Sequence, residues 1–243
     1  MGTTKSTSAP PGARTMRVER MGRVGYGPML ALQMLRHREV LAGESDDTLF
    51  LLEHAPVITL GRNSGEDHIV ASRERLLASG IEVFSTGRGG DVTYHGPGQI
   101  VGYPIVRLGE GEQDVRGFVS KLEEIMIRTA QDFGVEAQRV DGLRGVWAGD
   151  AKVGAVGVRI SRWTTMHGFA LNVATGIDGF SLIVPCGLHG KRVTSLSELT
   201  GQRIEVGAVE ERLTHHAANV LARRVEMAAA TSLPAATAQE IAS

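Results

Sequence analysis

Residues 144–173 read RGVWAGDAKVGAVGVRISRWTTMHGFALNV. Three strand-like runs stand here, Arg144–Ala148, Lys152–Ile160 and Thr165–Val173, rich in Val, Ile and Trp and separated by short Gly, Asp, Ser and Thr turns. The gaps are too short for a helical crossover, so these strands must be joined as antiparallel hairpins. Another strand, Val135–Val140, precedes them. Upstream the pattern changes. In Asp114–Phe133 the residues Val115, Phe118, Val119, Leu122, Ile125, Met126, Ala130 and Phe133 recur at helical spacing, with Asp114 to cap the start and Gly134 the end. Helices are also expected from Pro28 to Leu41, from Ile69 to Ala78 and from Val206 to about Val225. Strands are expected at Thr48–Glu53, Val57–Leu60, Ile81–Ser85 and Gln99–Arg107. The sum is one α/β domain of the α+β type, with a mixed, largely antiparallel sheet flanked by helices.

The chain of 243 residues is long enough for a full core. Lys and Arg number 26 against 27 Asp and Glu, a net charge of −1, which argues against a general nucleic-acid binder. No apolar run is long enough to span a bilayer, so no membrane association is expected. A single cysteine, Cys186, excludes an internal disulfide and fits a reducing, cytoplasmic setting. Residues 1–15 lack an apolar signal core and read as a disordered arm. Residues 227–243, rich in Ala and Thr, read as a flexible tail, which leaves 16–226 as the folded domain. Glycine is the outlier at 31 residues, nearly twice the usual ~7% share, and it clusters.

The densest cluster is 87–99, Gly-Arg-Gly-Gly-Asp-Val-Thr-Tyr-His-Gly-Pro-Gly-Gln. Glycines let a backbone turn with its N–H groups exposed to hold a carbonyl, carboxylate or phosphate. A plain surface loop needs turn residues but not Arg88, Tyr94, His95 and Gln99 among them. Neither standard phosphate-binding glycine pattern fits this stretch or Gly190-Lys191.

Two further residues suggest chemistry. A lone cysteine is more often a small buried apolar residue. Cys186, however, stands between Pro185 and Gly187 in a turn, with His189 and Lys191 near to favour the thiolate. Lys152 enters a strand of small apolar residues, where burial suits an amine to proton transfer, although a lysine at a strand start more often faces solvent. Gly154, Ala155 and Gly157 leave room for a ligand chain against the sheet. His167, in a facing strand, is the rival base.

Together these residues resemble the octanoyltransferases (lipoyl/octanoyl transferases) of protein lipoylation. The resemblance rests on Arg88-Gly89-Gly90-Asp91-Val92-Thr93-Tyr94-His95-Gly96-Pro97-Gly98-Gln99, on Tyr103-Pro104, on Ala151-Lys152-Val153-Gly154 with Ala155-Val156-Gly157, on His167-Gly168-Phe169-Ala170-Leu171-Asn172 and on Pro185-Cys186-Gly187. It covers about residues 20–225. It implies the catalytic fold shared with biotin and lipoate ligases. It also implies transfer of an octanoyl group from acyl carrier protein to a lysine of a lipoyl domain, with no cofactor, ATP or metal. The acceptors implied are the lipoyl domains of 2-oxoacid dehydrogenases and the glycine cleavage H protein, served by a monomeric enzyme. Cys186 is then the nucleophile and Lys152 its proton partner. Substrate contacts fall on Arg88, Gly89, Gly90, Asp91, Val92, Thr93, Tyr94 and His95, on Ala155, Val156 and Gly157, and on His167, Gly168, Phe169 and Ala170. Either Lys152 or His167 would deprotonate the acceptor amine. An ATP-dependent ligase of the same fold and a non-catalytic acyl-carrier-binding module are the alternatives. An excess of Arg and Lys across 139–192 suggests a basic rim for an acidic carrier protein.

Overall fold

Two layers of helix enclose one large sheet in the computed structural model, which describes residues 12–184 and 192–234. The strands of this sheet are β1 (Thr15–Val24), β2 (Asp47–His54), β6 (Gln99–Ile105), β7 (Gln138–Val140), β8 (Leu143–Ala148), β9 (Ala151–Ser161), β10 (Thr164–Asn172), β11 (Arg192–Val193) and β12 (Arg224–Ala228). Their spatial order is β12-β1-β2-β6-β10-β9-β8-β7, with β11 alongside β9. The run from β2 through β7 is antiparallel, while β12 and β2 flank β1 in parallel and β11 is parallel to β9. A small sheet of β3 (Val57–Leu60), β4 (Glu82–Ser85) and β5 (Thr93–His95) stands beside it in the order β4-β3-β5.

The period-2 alternation of a strand explains the layering. In β2, Leu49 and Leu51 face one side and Phe50 and Leu52 the other, and all four are fully buried. The first side is covered by α3 (Val115–Asp132) and α5 (Val206–Val220), through Phe118, Leu122, Met126, Val209 and Leu213. The second is covered by α1 (Tyr26–Ala42), through Met29, Leu30 and Leu32. Helix α1 ends at Gly43, in the left-handed conformation at φ 78°, with the Glu44 amide bonded back to Glu39 O. Asp114 caps α3 by accepting from the Arg116 amide. Two shorter helices, α2 (Arg73–Ala78) and α4 (Leu196–Thr200), complete the set among the described residues.

The β9–β10 hairpin turns through Arg162 and Trp163, at φ 48° and 57°. Both lie in the left-handed region that a two-residue hairpin turn demands, although neither is Gly or Asn. The pairing Gly168↔Gly157, Phe169↔Val156 and Ala170↔Ala155 places two glycines opposite each other. Across the other edge of β10, a Cβ on Gly168 would meet Gly102 O and would lie 2.6 Å from Pro104 Cδ. Only glycine fits there.

Four local expectations need correction. The segment Ile69–Ser72 is not helical: Ile69 bridges to Ile183, and Ser72 caps a helix that starts at Arg73. The last helix stops at Val220, and Arg224–Ala228, including Met227 and Ala228 expected in the tail, pairs with β1 instead. Strand β7 spans only Gln138–Val140 of the run expected from Val135. Strand β1 is not expected from the pattern because Arg17, Glu19 and Arg20 interrupt its apolar residues; it begins at Thr15, inside the stretch expected as a disordered arm, and Glu19 is fully buried, paired with Arg36 at 3.1 Å.

Candidate active site

A cavity of ≈ 710 Å³ opens between the 87–92 loop, β5 and the β9–β10 hairpin. Every candidate substrate-binding residue named from the sequence lines it except Tyr94, and Lys152 lines it as well. The exception has a simple cause. In β5 side chains alternate, so Thr93 and His95 face the cavity and Tyr94 points the other way, edge-on to Phe180 at 5.5 Å in a separate apolar cluster. Cys186 lies outside the described residues, together with the rest of 185–191. The described chain on either side meets the cavity wall. The Val184 amide donates to His68 O at 2.9 Å, and Val193 pairs with Lys152 in the β11–β9 ladder.

The glycine loop is held by Arg88, which is buried. Its Nη2 donates to Thr59 O at 2.7 Å and to Thr59 Oγ1 at 2.9 Å, tying the loop to β3. The Gly89 amide donates to Val158 O at 2.8 Å and the Val92 amide to Asp91 Oδ1 at 2.7 Å, so neither is available to a substrate oxyanion. A Cβ on Gly157 would lie 2.9 Å from Gly89 O, which explains the small residue where hairpin and loop touch.

A file of buried polar side chains runs along one wall, where Tyr103, His95, Gln99 and Asn172 line the cavity and His54 and Thr194 stand behind them. His54 donates from Nδ1 to Val24 O at 3.1 Å, so its Nε2 accepts from the Tyr103 hydroxyl at 2.8 Å. The His95 Nδ1 donates to Gln99 Oε1 at 2.6 Å. Gln99 in turn donates to Asn172 Oδ1 at 2.9 Å, Asn172 to Thr194 O at 2.9 Å, and the Thr194 amide to Lys152 O at 3.0 Å. These links run from the glycine loop to the backbone of the Lys152 strand. Sequence reading missed this connection and the roles of Gln99, Asn172 and Thr194, since the partners are far apart in the chain.

Burial holds the three histidines neutral: desolvation lowers His54 to about 4, and His95 and His167 to about 3. Nearby positive charge from Arg88 and Arg159 adds to the effect on His167. The His167 backbone is left-handed at φ 60°, and its amide donates to Gln33 Oε1 at 3.1 Å. With so low a pKa, His167 cannot hold a proton near neutrality, which counts against it as a base.

Lys152 is half-buried at the start of β9, with Nζ 5.5 Å from the centroid of the Trp147 ring. Gly145, on β8, shapes its surroundings. It adopts φ 94°, its amide donates to the buried Glu123 at 2.9 Å, and a Cβ there would lie 2.7 Å from Lys152 Cε and collide with Gly154 O. A glycine inside a strand pattern was the available signal. Gly145→Ala is expected to displace Lys152, cutting turnover at least ~10-fold while lowering stability by about 1–3 kcal/mol. Kinetics and thermal unfolding measured together check this; unchanged kinetics would show that the contact is unimportant.

The expected basic rim is only partly present. Arg144 and Lys152 line the cavity, joined by Arg116 from α3. Arg139 belongs elsewhere: it bonds Glu123 at 3.2 Å and Glu124 at 3.0 Å. No helix among the described residues is long and apolar enough to cross a membrane.

Comparison with known proteins gives a consistent answer. Residues 26–218 match the profile of the lipoyl protein ligase A/B catalytic domain. The chain is 46% identical over 223 residues to an octanoyltransferase of Solibacter usitatus, covering 92% of this chain and 100% of that one. It is 50% identical over 184 residues to an octanoyltransferase of Caldicellulosiruptor saccharolyticus, covering 75% and 78%. A solved bipartite lipoate protein ligase of Thermoplasma acidophilum superimposes with a TM-score of 0.75 at 16% identity, over 90% and 88% of the two chains. A lipoate-protein ligase A bound with ATP gives 0.74 at 15%, over 90% and 89%. At such identities these two structures speak for the fold alone, which is that of the lipoate protein ligase catalytic domain.

Proposed function

Because the chain belongs to the octanoyltransferases of the lipoyl protein ligase A/B catalytic-domain family, and is therefore an acyltransferase, we propose that it carries an octanoyl group from acyl carrier protein to a lipoyl-domain lysine through a thioester on Cys186. The observation that carries this reading is the cavity in which the glycine loop, the small-residue hairpin and Lys152 meet. An eight-carbon chain needs an apolar slot, and Val101, Ala155 and Ala170, on the same sheet face as the paired glycines, offer one.

In the first half-reaction the Cys186 thiolate attacks the carbonyl of the octanoyl thioester, and the carrier's thiolate leaves. One thioester replaces another, so the exchange is nearly balanced. Lys152 favours the thiolate and supplies the proton to the departing sulfur. In the second half the acceptor amine attacks the acyl-cysteine, and forming an amide from a thioester makes this step downhill. The acceptors proposed are lipoyl domains of 2-oxoacid dehydrogenases and the glycine cleavage H protein, and neither ATP nor metal takes part.

Intact-mass measurement tests the proposal. Mixing with octanoyl-carrier protein is expected to add one octanoyl group to the protein, and Cys186→Ser to abolish the adduct. Free octanoate with ATP is expected to add nothing. An adduct that survives in Cys186→Ser would overturn the assignment of the nucleophile. Acyl transfer that requires ATP would favour a ligase, and binding without any adduct a carrier-binding module.

A further inference from the structure

One histidine on the cavity wall has no part in this scheme. His68 ends the single-turn 3₁₀ segment Glu66–His68 between β3 and α2. Its Nδ1 lies 2.6 Å from Asp91 Oδ1. A carboxylate oxygen can only accept, so Nδ1 carries the proton and Nε2 is the basic nitrogen. Among the described residues Nε2 meets no hydrogen-bond partner. Asp91 is itself fixed: it is buried, and the Val92 amide donates to the same oxygen at 2.7 Å. The His68 backbone is fixed too, through its amide to Gly65 O at 3.2 Å and its carbonyl to the Val184 amide at 2.9 Å. An imidazole oriented by a carboxylate, on the wall of a reaction cavity, is the arrangement of a general base.

The competing histidines differ in kind. His95 and His167 are buried and cannot retain a proton near neutral pH. His68 is shifted the other way: the hydrogen bond to Asp91 raises its pKa, and the carboxylate of Asp67 acts in the same direction. Its side chain is 29% exposed, so a captured proton can pass on to water.

We infer that His68, oriented by Asp91, takes the proton from the acceptor amine as that amine attacks the acyl thioester. The inference rests on the acyl-transfer reading above. In the step, the amine nitrogen forms a bond to the acyl carbon. The carbon–sulfur bond breaks and its electron pair leaves on sulfur as thiolate. The surplus amine proton moves to His68 Nε2 and then to solvent. Lys152 remains assigned to the cysteine and His68 to the acceptor, which separates the two proton tasks between two residues.

Single-turnover kinetics distinguishes the half-reactions. Loading is followed by intact mass with octanoyl-carrier protein, and transfer by adding a lipoyl domain to the loaded protein. His68→Gln is expected to slow transfer about 10²-fold at pH 7 while loading falls by less than about tenfold. The deficit is expected to shrink toward pH 9, where the acceptor amine loses its own proton more readily. Asp91→Asn, which keeps the imidazole but removes its carboxylate, is expected to move the acid limb of the transfer profile to lower pH. Equal loss of loading and transfer, a deficit independent of pH, or transfer at the wild-type rate would each overturn the inference. A wild-type protein that takes up no octanoyl group would instead overturn the acyl-transfer reading on which it stands.

Discussion

Lys152→Ala is expected to slow acylation of the protein by about 10–10²-fold at pH 7, with the gap closing as pH approaches 9. A thiol with no cationic neighbour titrates near ~8.5, so only ~3% of it is thiolate at pH 7. Ionisation alone therefore accounts for at most about 30-fold, trimmed because a less acidic thiolate is the stronger nucleophile. Proton delivery to the departing sulfur supplies the rest of the range. Lys152→Arg separates the two contributions. It keeps the positive charge but cannot give up a proton, so it is expected to restore thiolate formation without restoring proton delivery. Stopped-flow acylation across pH 6–9 measures both. Wild-type rates in Lys152→Ala would overturn the proposed pairing of Lys152 with Cys186. A loss beyond ~10³-fold that persists at pH 9 would mean that the amine does more than ionise the thiol, for example by holding the substrate.

The second large effect is on stability. The protein is expected to unfold cooperatively in mild acid, between about pH 4 and 5, before most carboxylates are protonated. His54, His95 and His167 are lowered by burial to about 4, 3 and 3. In the unfolded chain a histidine titrates near ~6.5. The unfolded state therefore binds more protons below that pH. The stability these groups contribute is complete above ~6.5 and is lost as pH falls toward the folded values. Each costs up to ~1.4 kcal/mol per pH unit, about 4 for the three together, against a typical domain stability of ~5–15 kcal/mol.

His68 acts in the opposite sense. Its raised pKa gives a contribution present at low pH that fades as pH rises, and its exposure keeps that contribution small. Glu112 is desolvated, but Arg223 outweighs this and holds its carboxyl down to about 2, so it titrates below the histidine window. Urea midpoints measured from pH 7.5 to 5 check the prediction. His54→Gln, which replaces one of the three, is expected to reduce the slope by about a third. A midpoint that stays constant between pH 6.5 and 5 would show that the buried histidines titrate normally.

Local pattern accounts for much of the architecture. The spacing in 144–173 implied hairpins, and the structure has them at β8, β9 and β10. The apolar period of 114–133 implied a helix, and α3 occupies Val115–Asp132. Where the outcome depended on distant partners, local pattern misled. The run Arg224–Ala228 looks like a fraying helix end until β1 lies beside it to complete a ladder. Glu19 looks like a surface charge until Arg36, from another element, neutralises it in the core.

The same division holds at the site. The sequence by itself determined the class of fold, the residues of the glycine loop and the small-residue strands that leave room beside it, because turn chemistry and side-chain volume are local properties. Only the tertiary structure decided which face of β5 looks inward, so that His95 serves the cavity and Tyr94 the apolar cluster behind it. It also decided that His68 meets Asp91, and that Gln99, Asn172 and Thr194 join the loop to the lysine strand. Burial, hydrogen-bond partnership and the electrostatic shifts that follow depend on groups brought together from far along the chain, and their distance in space is not written in their distance in sequence.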